Sequence, residues 1–196
     1  MQTLYDIVIS VALGGLLLSM LVMFNGNLVE GGTAQSLKIM TQTNFTEVTK
    51  DLEFSLRKMG YRVPAANDSA IVIADSNKIK FKGDFDNNGT VDTLTYYLNP
   101  AASGNQNTNT HVLNMTLNAG AVQKINIGIT KFRLTYYDAA ETPYTTYPVS
   151  TPSKISSIKV SMNLESKVPY KLKSESYVKL NPGVYWERTF KPKNLK

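Results

Sequence analysis

A chain of 196 residues, 42% hydrophobic and 18% charged, can bury a core, but it has no cysteine, so a disulfide framework and a thiolate zinc site are both excluded. The single histidine, His111, leaves an enzyme only carboxylates, hydroxyls and lysines to work with. The net charge of +6 comes from scattered lysines that become dense only near the C-terminal end, without an Arg-rich or aromatic-interleaved run; this predicts general attraction to anionic surfaces and no specific nucleic-acid partner.

The first element is "TLYDIVISVALGGLLLSMLVMF", residues 3–24. From Ile7 to Phe24 only Ser10 and Ser19 interrupt eighteen apolar or small residues, which as a helix span about 27 Å and just cross a bilayer. A secretory signal would begin with basic residues and end at a small-residue cleavage site; here nothing positive precedes the run and Asn25-Gly26-Asn27 follows it. A plain anchor would carry Lys or Arg on its cytoplasmic flank, and none occurs before Lys38. That missing charge is expected if a basic leader has already been removed.

Beyond Gly31-Gly32, apolar residues recur at Leu37, Met40, Thr41, Phe45, Val48, Leu52, Leu56 and Met59, close to helical spacing, and Gly60 is a natural stop. A helix running to Met59 is about 90 Å long, more than one small domain covers, so its first half projects and needs partners. The predicted division is an apolar helix over 1–30, an amphipathic continuation over 31–60 and a β-rich head over 61–196. Gly14-Gly15, Asn25-Gly26 and Gly31-Gly32 have two readings, as places where another helix packs closely or where the helix bends during assembly.

Alternation in "AIVIADSNKIKFK", "TVDTLTYYL", "HVLNMTLN", "KFRLTYYD", "SSIKVSMNLE" and "YVKLNPGVYWERTF" predicts about six antiparallel strands, one apolar face of which covers the second half of the helix. The fold class is therefore α+β. In the pairs Tyr96-Tyr97 and Tyr136-Tyr137, alternation predicts one ring in the core and the other at the surface or an interface. "NPAASGNQNTNT", residues 99–110, is polar enough to read as an exposed loop.

"DFDNNGTVD", residues 84–92, has the spacing of the first nine positions of a calcium loop. Asp84, Asp86 and Asn88 offer side-chain oxygens, Gly89 permits the turn, Thr90 offers a carbonyl and Asp92 closes the set, although Thr95 stands where a bidentate Glu would complete it. A metal-free hairpin turn on Asn87-Asn88-Gly89 is the other reading. No cofactor is required by the sequence, and calcium is the cation that its spacing fits. No nucleophile elbow or phosphate loop appears, and no enzyme is expected.

The opening "MQTLYDIVISVALGGLLLSMLV" resembles the processed N-terminus of type IV pilins and type II secretion pseudopilins, with Thr3, Leu4 and Asp6 in the family's order, Tyr5 in place of an aliphatic residue and Asp6 in place of a glutamate. "TKDLEFSLRKMGYRV", "IKFKGDFDNNGTVDTLTYYLN", "ITKFRLTYYDAAETP", "ISSIKVSMNLES" and "YWERTFKPKNLK" extend the resemblance along nearly the whole chain, towards the minor pilins of the PilW and GspJ type. The resemblance implies a pilin-like fold with an apolar helix protruding from a sheet domain. It also implies cleavage and N-methylation by a prepilin peptidase, residence in the inner membrane, and extraction by an assembly machinery into an extracellular filament of copies of itself. Met1 and Asp6 would then pair between neighbouring subunits, an amine meeting a carboxylate that is expensive to bury alone, and Gly14 and Gly15 would lie in the packed core. A low-copy tip or priming subunit, and a membrane-anchored β-domain that binds a ligand, are the alternatives.

Overall fold

The structure, a computed structural model, describes residues 2–64, 69–168 and 183–195. Among the described residues, one α-helix, α1 (Gln2–Arg57), precedes seven strands: β1 (Ile71–Ala74), β2 (Lys78–Gly83), β3 (Asp92–Ala102), β4 (His111–Leu117), β5 (Gln123–Tyr137), β6 (Ser157–Leu164) and β7 (Val184–Phe190). All seven pair antiparallel with their neighbours in chain order, forming one sheet beside one helix, an α+β architecture.

The extra strand comes from the stretch that alternation reads as one. "AIVIADSNKIKFK" folds back on itself after Ala74, where the Asp75 carboxylate accepts the Ser76 N–H at 2.7 Å and the Asp75 N–H reaches the Lys78 carbonyl. The turn interrupts the alternation, because β1 and β2 must present their apolar residues to the same side. Within β2, Ile79 and Phe81 are buried while Lys78, Lys80 and Lys82 are half-buried; in β6, Ile158, Val160, Met162 and Leu164 point inward. Of the last predicted strand, residues 184–190 form β7 and residues 177–182 lie outside the described residues.

The sheet curls. The Leu134 N–H in β5 donates to the Ser76 carbonyl at 2.7 Å, and the buried Tyr136 hydroxyl donates to the Asp75 carbonyl at 2.9 Å, so the β1–β2 turn arches over β5. The segment after β5 returns across this opening, where Val149 and Ile155 are buried and the Val149 N–H bonds to Ala74. At Gly128 β5 takes φ +90, and a Cβ there would lie 2.0 Å from the Glu165 carbonyl oxygen. Only glycine lets the bulged strand and the end of β6 approach so closely.

The sheet's concave face covers the C-terminal end of α1. Leu52, Leu56 and Met59 are buried there among Phe81, Leu94, Tyr96 and Phe132, with Phe45 and Val48 packed at the margin. Burying a leucine such as Leu56 stabilises the fold by about 1.5–3 kcal/mol. Phe45 meets Trp186 of β7 edge-on at 6.5 Å between ring centres, and the Arg188 guanidinium of β7 donates to Glu53. Met40, predicted for the buried face, is exposed; spacing gives its direction around the helix but not how far along the helix the sheet reaches. The helix ends at Arg57, and Gly60 follows at φ +77, with a site for a Cβ only 2.4 Å from the Asn194 carbonyl oxygen.

Two further expectations meet the structure differently. Tyr96 and Tyr136 are buried and Tyr97 and Tyr137 are half-buried, the division that alternation predicts. The polar stretch 99–110 is not simply an exposed loop. Its first residues extend β3 to Ala102, while Asn107 and Thr110 are buried. The Asn107 amide donates to the Glu165 carboxylate and the Ser166 carbonyl, both at 3.0 Å, and its N–H to Lys167. Polar residues are buried here because each finds a partner on a distant strand end, which composition does not reveal.

Candidate functional site

Two features stand out from the packed domain: the first half of α1, and the loop that joins β2 to β3. The apolar half of α1 is uncovered. Every large apolar residue from Leu4 to Val29 that borders no other element keeps 54 to 71% of its surface exposed, over a stretch long and apolar enough to cross a membrane. Apolar surface of this extent is uncommon on a soluble monomer. Both serines in this half are already satisfied, since Ser10 donates to the Asp6 carbonyl at 2.7 Å and Ser19 to the Gly15 carbonyl at 2.8 Å. Neither serine brings an unpaired donor into an apolar environment.

Asp6 is exposed on this shaft, and among the described residues it has no ion-pair partner. The first turn of α1 carries no acid, so Asp6 lies beyond the end where the helix dipole acts most strongly. Met1, its expected partner in a neighbouring copy, lies outside the described residues. A Cβ added at Gly14 or Gly15 would meet no atom within 4 Å, and α1 runs without interruption past both, past Gly26 and past Gly31-Gly32. Close approach at these glycines therefore has to come from another molecule, and the helix is unbroken in this state.

The β2–β3 loop brings the predicted acids together. One carboxylate oxygen from each of Asp84, Asp86 and Asp92 lies within 4.8 Å of the other two. Asp84 sits just past the end of β2 with no exposed surface; its Oδ2 accepts the Arg62 guanidinium at 2.9 Å and the Gly89 N–H at 3.1 Å, while its buried Oδ1 has no hydrogen-bond partner among the described residues. Burial alone would raise this carboxyl, but the Arg62 guanidinium and the Gly89 N–H hold it below the ordinary aspartate range.

The remaining predicted residues shape the loop. Asp86 accepts the Asn88 N–H at 3.0 Å, and Asn88 in turn accepts the Thr90 N–H at 2.7 Å, a run of side-chain-to-backbone turns. Gly89 takes φ +88, as the sharp bend requires. Asp92 is buried and accepts the Phe85 N–H at 3.1 Å and the Asn118 amide at 2.6 Å.

Sequence reasoning missed Lys58, Arg62 and Asn118. The Lys58 ammonium donates to the Phe85 carbonyl at 2.8 Å and to Asn87 Oδ1 at 3.0 Å, and the Asp84 N–H bonds to the Tyr61 carbonyl at 3.0 Å. These bonds fasten the loop to the chain that leaves α1. No local signal links residues so far apart; only the order "LRKMGYR" places cations just after the helix.

The fold and the exposed shaft together define the class: a curled antiparallel sheet domain built on the end of a long helix whose other half is apolar and bare. Compared with protein-family models and with curated proteins, the chain matches none.

Proposed function

We propose that this chain is a structural subunit of a type IV pilus-like extracellular filament, polymerising through the apolar half of α1. The observation that carries the reading is the continuity of α1. A single unbroken helix is anchored in a folded domain at one end, and at the other it is bare and apolar on every side with one acid, Asp6. Such a shaft is stable in lipid, and it leaves lipid only when other apolar helices replace it. Subunits that add head-to-tail without closing a ring give an open helical polymer with the shafts in its core and the sheet domains outside.

In this reading the subunit waits in the inner membrane, is processed by a prepilin peptidase and is then handed to the assembly machinery. Asp6 draws the N-terminal amine of a neighbouring copy into register, since a lone carboxylate among apolar helices is costly. The chain has no catalytic role of its own. The finer reading, a low-copy tip or priming subunit, uses the same contacts with fewer copies, and an anchored binding domain would use the shaft for lipid alone.

The test is negative-stain imaging of native material containing the chain, beside detergent-solubilised protein. Uniform thin fibres labelled along their length by an antibody to the head support the polymer, and labelling confined to fibre ends supports the tip subunit. Monodisperse particles alone refute both. Asp6→Ala is expected to abolish fibres while the membrane-inserted subunit accumulates at its normal level.

A further inference from the structure

The β2–β3 loop combines three acids with a buried oxygen that no group among the described residues satisfies. An acidic turn at the surface is common and asks for no ion. Here, however, Asp84 has no exposed surface, and among the described residues its Oδ1 finds no hydrogen-bond partner. A buried carboxylate oxygen without a partner is expensive, and a cation removes that cost directly.

Arg62 does not supply this need. Its guanidinium is half exposed and reaches Oδ2, on the other side of the carboxylate from the unsatisfied atom. Lys58 does not supply it either, because its ammonium is taken up by the Phe85 carbonyl and Asn87 Oδ1. Asp92 spends one lone pair of each oxygen on Phe85 and Asn118 and keeps the others.

We propose that Asp84, Asp86 and Asp92 form a calcium site, with Asp84 Oδ1 as the buried ligand. Their spacing suits the ion: ligands about 2.4 Å from one calcium stand at most about 4.8 Å apart, and one carboxylate oxygen from each of the three residues falls within that limit. Magnesium binds at about 2.0–2.1 Å, holds its waters and demands a tighter octahedron, which three side chains on an open loop do not impose. The Thr90 carbonyl and water complete the shell. Asn88 contributes no ligand, because its Oδ1 is turned to the N–H and hydroxyl of Thr90.

With no bidentate carboxylate at Thr95, which is paired within the sheet, the affinity belongs to the weak extracellular range, Kd about 10⁻⁴–10⁻³ M. The ion would brace the junction between shaft and sheet, because Lys58 and Tyr61 tie this loop to the end of α1. The site is independent of the filament reading, since it needs only the folded head.

The experiment is isothermal titration of the full chain in detergent with calcium chloride and, separately, magnesium chloride, alongside thermal unfolding in calcium or in chelator. Saturable binding of one calcium, at least tenfold tighter than magnesium, with a midpoint several degrees higher than in chelator, is the expected result. Asp86→Asn, at an exposed position, should keep the fold and the midpoint in chelator but lose at least tenfold in calcium affinity. Asp84→Asn removes a buried charge and is read only if its circular dichroism matches the parent. Absence of saturable calcium binding, equal binding of magnesium, or unchanged affinity in a folded Asp86→Asn chain overturns the proposal.

Discussion

The Tyr96 hydroxyl of β3 donates to Ser55 Oγ of α1 at 3.2 Å, a buried polar contact between the helix and the sheet that covers it. Burial pushes the Tyr96 phenol up to about 12 from an ordinary 10.0; once the phenol ionises, the Ser55 hydroxyl turns to donate to the phenolate, which offsets only part of the shift. Burial also raises Tyr136. A raised phenol contributes stability that is complete below its unfolded value and is lost as pH rises through the folded one. For Tyr96 the window is therefore pH 10 to about 12. Far-UV circular dichroism against pH, recorded with tyrosinate absorbance, should show unfolding and late ionisation together in this window. Tyr96→Phe should move the alkaline transition upward, while costing about 1 kcal/mol at neutral pH for the lost hydrogen bond.

Asn107 fixes the β3–β4 connection to the end of β6. Asn107→Ala would leave the buried Ser166 carbonyl and the Glu165 carboxylate without their amide donor. The expected loss is about 1–3 kcal/mol, measured by denaturant unfolding. Asn109→Ala, at an exposed position in the same loop, should change stability by no more than about 0.5 kcal/mol and serves as the comparison.

Gly128→Ala places a methyl group against the Glu165 carbonyl at a position with φ +90. Backbone strain of about 1–3 kcal/mol is expected, together with repacking of the β5–β6 pairing. Gly89→Ala shares the unfavourable φ but meets no neighbour, so it should cost less. Thermal unfolding of the two variants side by side checks the order.

Gly14 and Gly15 have open space around them within the subunit. Replacing both by leucine should leave the head's unfolding midpoint unchanged, and replacement of helix glycines should strengthen the helix by about 1 kcal/mol each. If these glycines pack against neighbouring helices, the same double variant should yield few or no fibres by electron microscopy. Normal fibre yield would assign them no packing role.

The sequence by itself determined the helix, its two halves and the antiparallel class of the head. These are one-dimensional properties: an apolar run long enough for a bilayer, a helical stripe ending at Gly60, and alternation such as Ile79 and Phe81 between Lys78, Lys80 and Lys82. The grouping of Asp84, Asp86 and Asp92 was legible for the same reason, since one tight turn holds all three. The tertiary structure decided the rest. It set where the sheet stops covering α1, so that Met40 is bare, and it buried Asn107 against Glu165. It also brought Lys58 and Arg62 to the acidic loop while leaving Asp84 Oδ1 unsatisfied. Those outcomes depend on how far a curled sheet reaches and which distant groups it brings together, and residue spacing along the chain carries no measure of either.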